Sequence, residues 1–237
     1  MSSKVTARRT PGTSRAREHS VDEIAEKISS AILEHRLVPG TKLGEDRLAT
    51  IFGASRAKVR EAFARLAYEQ MVELIPQRGA FVAKPTIEQA HDVFEARRLI
   101  EPGVLRRLMA TIDDVKHQRL RRHIELEADA RKRDDKRAIV RLSGEFHVLL
   151  AELAGNSALK RTMHELSART CLVISLYDAP TATSCRADEH EEIVGAIKRG
   201  DVRRAESLML HHLEHIEQSL RLDADTEEAD LESIFSS

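Results

Sequence analysis

Glu45–Ala83 reads EDRLATIFGASRAKVREAFARLAYEQMVELIPQRGAFVA, and its order of signals decides the fold. A short apolar-periodic segment, Leu48, Ala49, Ile51 and Phe52, stops at Gly53. Ser55 then offers a hydroxyl suited to capping a new helix. Val59, Ala62, Phe63 and Leu66, at three- and four-residue spacing, predict that helix from about Arg56 to Glu69. Two short apolar runs follow, Met71–Ile75 and Ala80–Ala83, joined by the turn composition Pro76-Gln77-Arg78-Gly79. Helix, turn, helix, hairpin is the order of a winged helix-turn-helix.

The second helix carries the chemistry. Arg56, Lys58 and Arg60 crowd its first turn and a half, where a recognition helix meets base edges. A helix N-terminus also favours phosphate oxygens. Arginine makes a bidentate contact to guanine, so Arg56 and Arg60 are the candidate base readers. Arg78 at the hairpin tip suits a wing reaching a minor groove or the DNA backbone. The bland alternative is a solvated basic helix; the hairpin behind the helix favours DNA binding.

Here the chain resembles a family. LGEDRLATIFGASRAKVREAFARLAYEQMVELIPQRGAFV is similar to the DNA-binding domain of the GntR family of bacterial transcription regulators, whose pattern runs PGxxLxExxLAxxxGVSRxxVREALxRLxxxGLVxxxxxRGxxV. The match extends from Pro39-Gly40 through Arg78-Gly79 to Val82. The resemblance implies DNA contacts from Ser55, Arg56, Arg60, Arg78 and Gly79. Ala54, Ala57 and Gln70 depart from the pattern, Gln70 standing where glycine is usual before the first wing strand.

At 237 residues the chain suits two modest domains. Leu, Ala, Arg and Glu dominate and tryptophan is absent, which predicts a mainly helical protein with an aliphatic core. Cys171 and Cys185 have no CxxC spacing and fit a reduced compartment. No apolar run approaches a membrane span and the N-terminus lacks the core of a secretion signal, so the expected location is cytoplasmic, without a membrane partner. The net charge of −1 hides an asymmetry. Residues 1–84 hold 15 Lys/Arg against 10 Asp/Glu, and the remainder 23 against 29. The basic half is the one with the helix-turn-helix, as expected if only that half approaches phosphate.

Residues 1–20 are Ser, Thr, Arg, Gly and Pro with almost nothing apolar, a disordered tail by composition. Its arginines either add non-specific DNA attraction or are simply solvated. Residues 21–84 form the expected DNA-binding domain, opening with an amphipathic helix over Val21–His35 and a turn over Leu37–Leu43. Pro85 closes the wing, and Thr86 with Gln89 makes a capping box. Residues 85–222 read as almost only helix, broken near Ala110–Thr111, Asp134–Asp135, Gly155–Asn156, Ala179–Ser184 and Gly200–Asp201, which gives a bundle of six to seven helices. Residues 223–237 are an acidic, disordered tail by composition. The segments FEARRLIEP, GEFHVLLAELAGN, DEHEEIVGAIKRGD and AESLMLHHL resemble the FadR-like, or FCD, subfamily.

Helical geometry turns several polar residues of this second domain inward. Ala90, Val93, Phe94, Arg97, Glu101, Val104 and Leu108 share one face. A buried guanidinium needs a partner. That partner is either Glu101 on the same face or the carboxylate of a bound metabolite. His147 lies at the margin of the Leu142, Phe146, Leu150, Leu153 face, His190 with Ile193, Val194 and Ile197, and His212 with Ala205, Leu208, Met209 and Ile216. Each alone reads as a hydrogen-bonded core histidine. Together they suit a divalent metal, zinc being the natural choice for nitrogen ligands. His211 and His215 fall to the side of the last helix.

The FCD resemblance implies the same three positions, since many members bind metal through an Asp and three histidines in DxxFH, EHxxIxxAI and MxxHL motifs. Here Ser143 occupies the Asp position, so it and Arg97 become candidate contacts for an effector. The resemblance implies a homodimeric repressor of a near-palindromic operator, released by a small organic acid. Two other functions compete: a metal-dependent hydrolase or lyase using the histidines, and a constitutive DNA-binding protein without effector. The enzyme reading lacks an HExxH or GxSxG motif and any base placed beside the histidines.

Overall fold

The computed structural model describes residues 19–177 and 188–222. The two tails fall outside these residues apart from His19 and Ser20, as do the Ala179–Ser184 break and Cys185. Ser20, which composition assigns to the tail, is the N-cap of α1 (Val21–Leu33). Its hydroxyl accepts from the Glu23 amide and the Glu23 carboxylate accepts from the Ser20 amide. Two orphan amides of the helix end are satisfied in this way.

Helix α2 (Glu45–Phe52) ends at Gly53, whose φ of +57° makes the tight turn into α3 (Arg56–Tyr68). Ser55 caps α3, its hydroxyl accepting from the Lys58 amide at 3.3 Å. The wing is the hairpin of β2 (Val72–Ile75) and β3 (Gly79–Val82). The turn over Leu37–Leu43 needs a correction, because it ends in a short strand, β1 (Lys42–Leu43), antiparallel to β3. The sheet order is therefore β1-β3-β2. Two residues are too few to show an alternating pattern; the pairing comes from backbone bonds at Gly40, Thr41 and Val82. Ile24, Ile28, Ile32, Val59, Phe63, Leu66, Met71 and Val82 fill the core beneath.

Six helices follow among the described residues: α4 (Ile87–Met109), α5 (Asp114–Lys132), α6 (Lys136–Leu153), α7 (Ser157–Tyr177), α8 (Glu189–Lys198) and α9 (Val202–Ser219). The Thr86/Gln89 capping box starts α4, and Asp113, Asp135 and Asp201 cap α5, α6 and α9. Leu105, Leu108, Leu120, Phe146, Met163, Ile193, Met209 and Leu213 form the centre of the bundle.

The two halves share side chains. Ala168 and Leu172 of α7 are buried in the same apolar cluster as Ile24, Ile28 and Phe63 of the winged helix. Arg141 of α6 faces Glu34 at 3.7 Å, and the Tyr177 hydroxyl donates to the Pro85 carbonyl at 2.9 Å.

Gln70 sits at φ +57°, the left-handed region that favours glycine. The Gln70→Gly variant removes the side-chain strain at a smaller entropic cost, so it should be more stable by roughly 0.5–1 kcal/mol. A urea midpoint equal to or below that of the parent would show that the position is unstrained.

Candidate nucleic-acid interface and metal centre

Arg56 and Arg60 stand four residues apart on α3 and are largely exposed. Each guanidinium is paired with an acid from the first turn of α2, Nε being its nearest nitrogen, Arg56 with Asp46 and Arg60 with Glu45 at 3.3 Å. Lys58, roughly 200° around the helix from Arg56, is half-buried on another side. At the wing tip the Arg78 guanidinium lies over the Phe81 ring, 5.6 Å from its centroid. Gly79 has φ +99°, which only glycine adopts without cost. Ser55 spends its hydroxyl on the α3 cap, leaving the first amides of the helix pointing outward.

The second centre is buried. His147 on α6, His190 on α8 and His212 on α9 are each at most 2% exposed. His147, placed at a helix margin by periodicity, is as fully enclosed as the other two. The Nε2 atom of His212 lies 3.2 Å from that of His190 and 3.3 Å from that of His147. Each ring turns its other nitrogen to a carboxylate: His147 Nδ1 to Glu101 at 2.7 Å, His190 Nδ1 to Glu127 at 2.9 Å, and His212 Nδ1 to Glu189 at 2.7 Å. A neutral imidazole carries one proton, and a carboxylate acceptor fixes it on Nδ1. All three Nε2 atoms then present lone pairs to one point. That is the donor set of a divalent cation with oriented histidine ligands.

Burial keeps two of the rings, His147 and His212, neutral. Burial outweighs the Glu101 carboxylate and holds His147 at about 3. Burial does the same for His212 against Glu189, at about 4. Burial alone raises a carboxylate, yet Arg97 and His147 overcome it and keep Glu101 at about 2. Glu127 is likewise pushed down by its histidine neighbours, although burial opposes them.

Arg97 takes the bland partner the sequence offers and leaves room for another. Its Nε donates to Glu101 at 2.7 Å and Nη1 to the Thr170 hydroxyl at 3.1 Å. Among the described residues Nη2 is buried without a partner, as is the Ser167 hydroxyl on the same face of α7 as Thr170. Ser143 is half-buried, one turn before His147 on α6. Cys171 is buried beside Gly144, its thiol pushed up to about 12 by burial, and so chemically quiet. Glu145 pairs with Arg141 and Glu191 with Arg121, both outside the centre. Sequence reasoning missed Glu127, Glu189, Ser167 and Thr170. The inward-polar test used for α4 finds His123 and Glu127 when applied to α5, whose buried stripe is Leu120, His123, Ile124, Glu127 and Ala130.

A winged helix-turn-helix with exposed arginines on its second helix, joined to a helical bundle, defines a DNA-binding transcription regulator rather than an enzyme. No described helix is long and apolar enough to cross a membrane. The description "Bacterial regulatory proteins, gntR family" matches residues 20–82, and the FCD domain matches residues 92–215. The chain belongs to the GntR family and carries an FCD domain. It is 31% identical to an HTH-type transcriptional regulator in an unstable DNA locus of Streptomyces ambofaciens, over 79% of each chain. It is 29% identical to the HTH-type transcriptional repressor RspR of Escherichia coli K12, over 78% of this chain and 82% of that one. The solved structure of E. coli McbR/YncC superposes with a TM-score of 0.74 at 18% identity, over 82% of this chain and 93% of that one, and shares the fold.

His147 and His212 take protons in the folded chain only near pH 3–4, whereas the unfolded chain takes them near 6.5. The unfolded state therefore binds more protons between these values, and stability falls as pH falls through that window. In metal-free protein the melting temperature should drop steadily from pH 6.5 to 4, and less steeply in His147→Gln. A flat profile in both would mean that the rings protonate as freely folded as unfolded.

Proposed function

We propose that the protein is a homodimeric, cytoplasmic repressor whose winged helix, residues 21–84, reads a near-palindromic operator and whose helical domain, residues 85–222, answers to a small carboxylate. The observation that carries the ligand part is the convergence of three Nε2 atoms, that of His212 within 3.3 Å of each of the other two, near a buried guanidinium nitrogen without a partner among the described residues. Mutually facing lone pairs in a dry interior repel; a cation between them removes the repulsion. His147, His190 and His212 would hold a divalent metal, zinc by ligand preference. Such an ion offers open coordination positions to oxygen. Arg97 Nη2 supplies a charged donor for the same anion, and Ser143, in place of a carboxylate ligand, adds a hydroxyl without adding charge.

The DNA half of the proposal rests on Arg56 and Arg60 as base readers, with Ser55, Lys58, Arg78 and Gly79 on the phosphate backbone or minor groove. Ligand and operator would favour different placements of the two domains, so each must weaken or strengthen the other by the same factor.

Elemental mass spectrometry of the purified protein should find about one divalent ion per chain, lost in His190→Ala, because a three-nitrogen site loses a ligand it cannot replace. Equal content in both proteins, or none after incubation with zinc, manganese and nickel, would sink the centre. Separately, Arg56→Ala and Arg60→Ala should each weaken operator binding by about 1–3 kcal/mol with the melting curve unchanged. Undiminished affinity in both would remove α3 as the reading helix.

A further inference from the structure

Two carboxylates stand on the surface that the proposed function turns toward DNA. Asp46 and Glu45, in the first turn of α2, face the guanidinium groups of Arg56 and Arg60. Acidic groups close to phosphate are repelled by it, so they oppose binding in general. Their pairs add little to the fold, since Arg56 and Asp46 are 64% and 69% exposed. Their geometry points elsewhere. In both pairs the carboxylate comes nearest to Nε, the inner nitrogen of the planar guanidinium. The Nη1–Nη2 edge is a second pair of donors in a fixed fork, and it matches O6 and N7 of guanine.

We propose that Asp46 is a positioning residue for base recognition. It holds the Arg56 side chain by its inner edge and presents the outer edge to a guanine. The inference rests on the reading of Arg56 as a base contact. An unrestrained arginine reaches many phosphates and loses rotamer freedom when it orders on a base. One tied by Asp46 is ordered in advance and is poorly placed for any other contact. At a site without guanine the Asp46 charge still stands near the backbone, and the arginine it holds gains no base contact in return. Asp46 thus raises discrimination while lowering general affinity. Glu45 stands in the same relation to Arg60.

The experiment selects duplexes from a random-sequence pool with the full-length protein, Asp46→Asn, Arg56→Ala and the double variant. Affinities are then measured for the enriched duplex, its single-pair variants and an unrelated duplex. Asp46→Asn should bind the unrelated duplex more tightly, and its ratio of specific to non-specific affinity should fall roughly five- to tenfold, the cost of ordering one free arginine. The loss should fall on one guanine-bearing pair per half-site. In the Arg56→Ala background the same substitution should leave the ratio unchanged, because Asp46 acts through Arg56. An undiminished ratio in Asp46→Asn, or an equal fall with and without Arg56, overturns the proposal alone. If the parent protein enriches no sequence, or Arg56→Ala keeps the parent's preference, the reading of Arg56 falls and the proposal with it.

Discussion

Three ring nitrogens that share one point in a dry interior constrain everything around them. Each imidazole must send its proton outward, so each needs an acceptor on its far side. Glu101, Glu127 and Glu189 supply these acceptors from α4, α5 and the start of α8. A buried carboxylate needs partners in turn. Glu101 has Arg97, and Glu127 has His123 at 3.4 Å and Arg131 at 3.5 Å besides His190. Through Arg97 and Thr170 it also touches α7, so the network reaches all six described helices of the bundle and fixes their separation more tightly than apolar packing alone, which tolerates substitution of shape. Phe146, stacked on His190 at 4.1 Å, closes one side of it.

The opposite end of the molecule uses the same groups under the opposite condition. Arginine–carboxylate pairs at the helix-turn-helix are exposed, cost little to break and can exchange one partner for another. Arg97 and Glu101, at 2% exposure each, cannot be parted without stranding a charge. Solvation separates the two behaviours: the inner pair holds a shape and the outer pairs are available for recognition.

Local chemistry made most of the fold legible. Caps at Ser55 and Thr86, the glycine turn at Gly53, the break at Gly200–Asp201 and the apolar stripe of α4 were all readable, because each depends on residues close in sequence. The three histidines were readable by the same periodicity. Strand β1 was not, since two residues carry no period and their pairing is decided by β3, nearly forty residues later. Glu127 and Glu189 were hidden for a related reason. Their partners lie on other helices, and a glutamate in a charge-rich helix looks solvated until the fold places an imidazole against it. Gln70 was visible as a departure from the family pattern, but its cost appears only in its backbone angle.

Helix α7 belongs to both halves of the protein. One stripe of it, Ser167, Thr170 and Cys171, lines the interior near Arg97; another, roughly 130° away around the axis, sends Ala168 and Leu172 into the core under α1. The winged helix is thus an incomplete body that borrows part of its hydrophobic filling. Cut at Pro85, it would open a hollow where those two side chains sit, next to Ile24 and Ile28. What joins the two halves is then continuity of packed matter: α7, which sets Thr170 against Arg97, also fills part of the core beneath α1, and α1 in turn packs on α3.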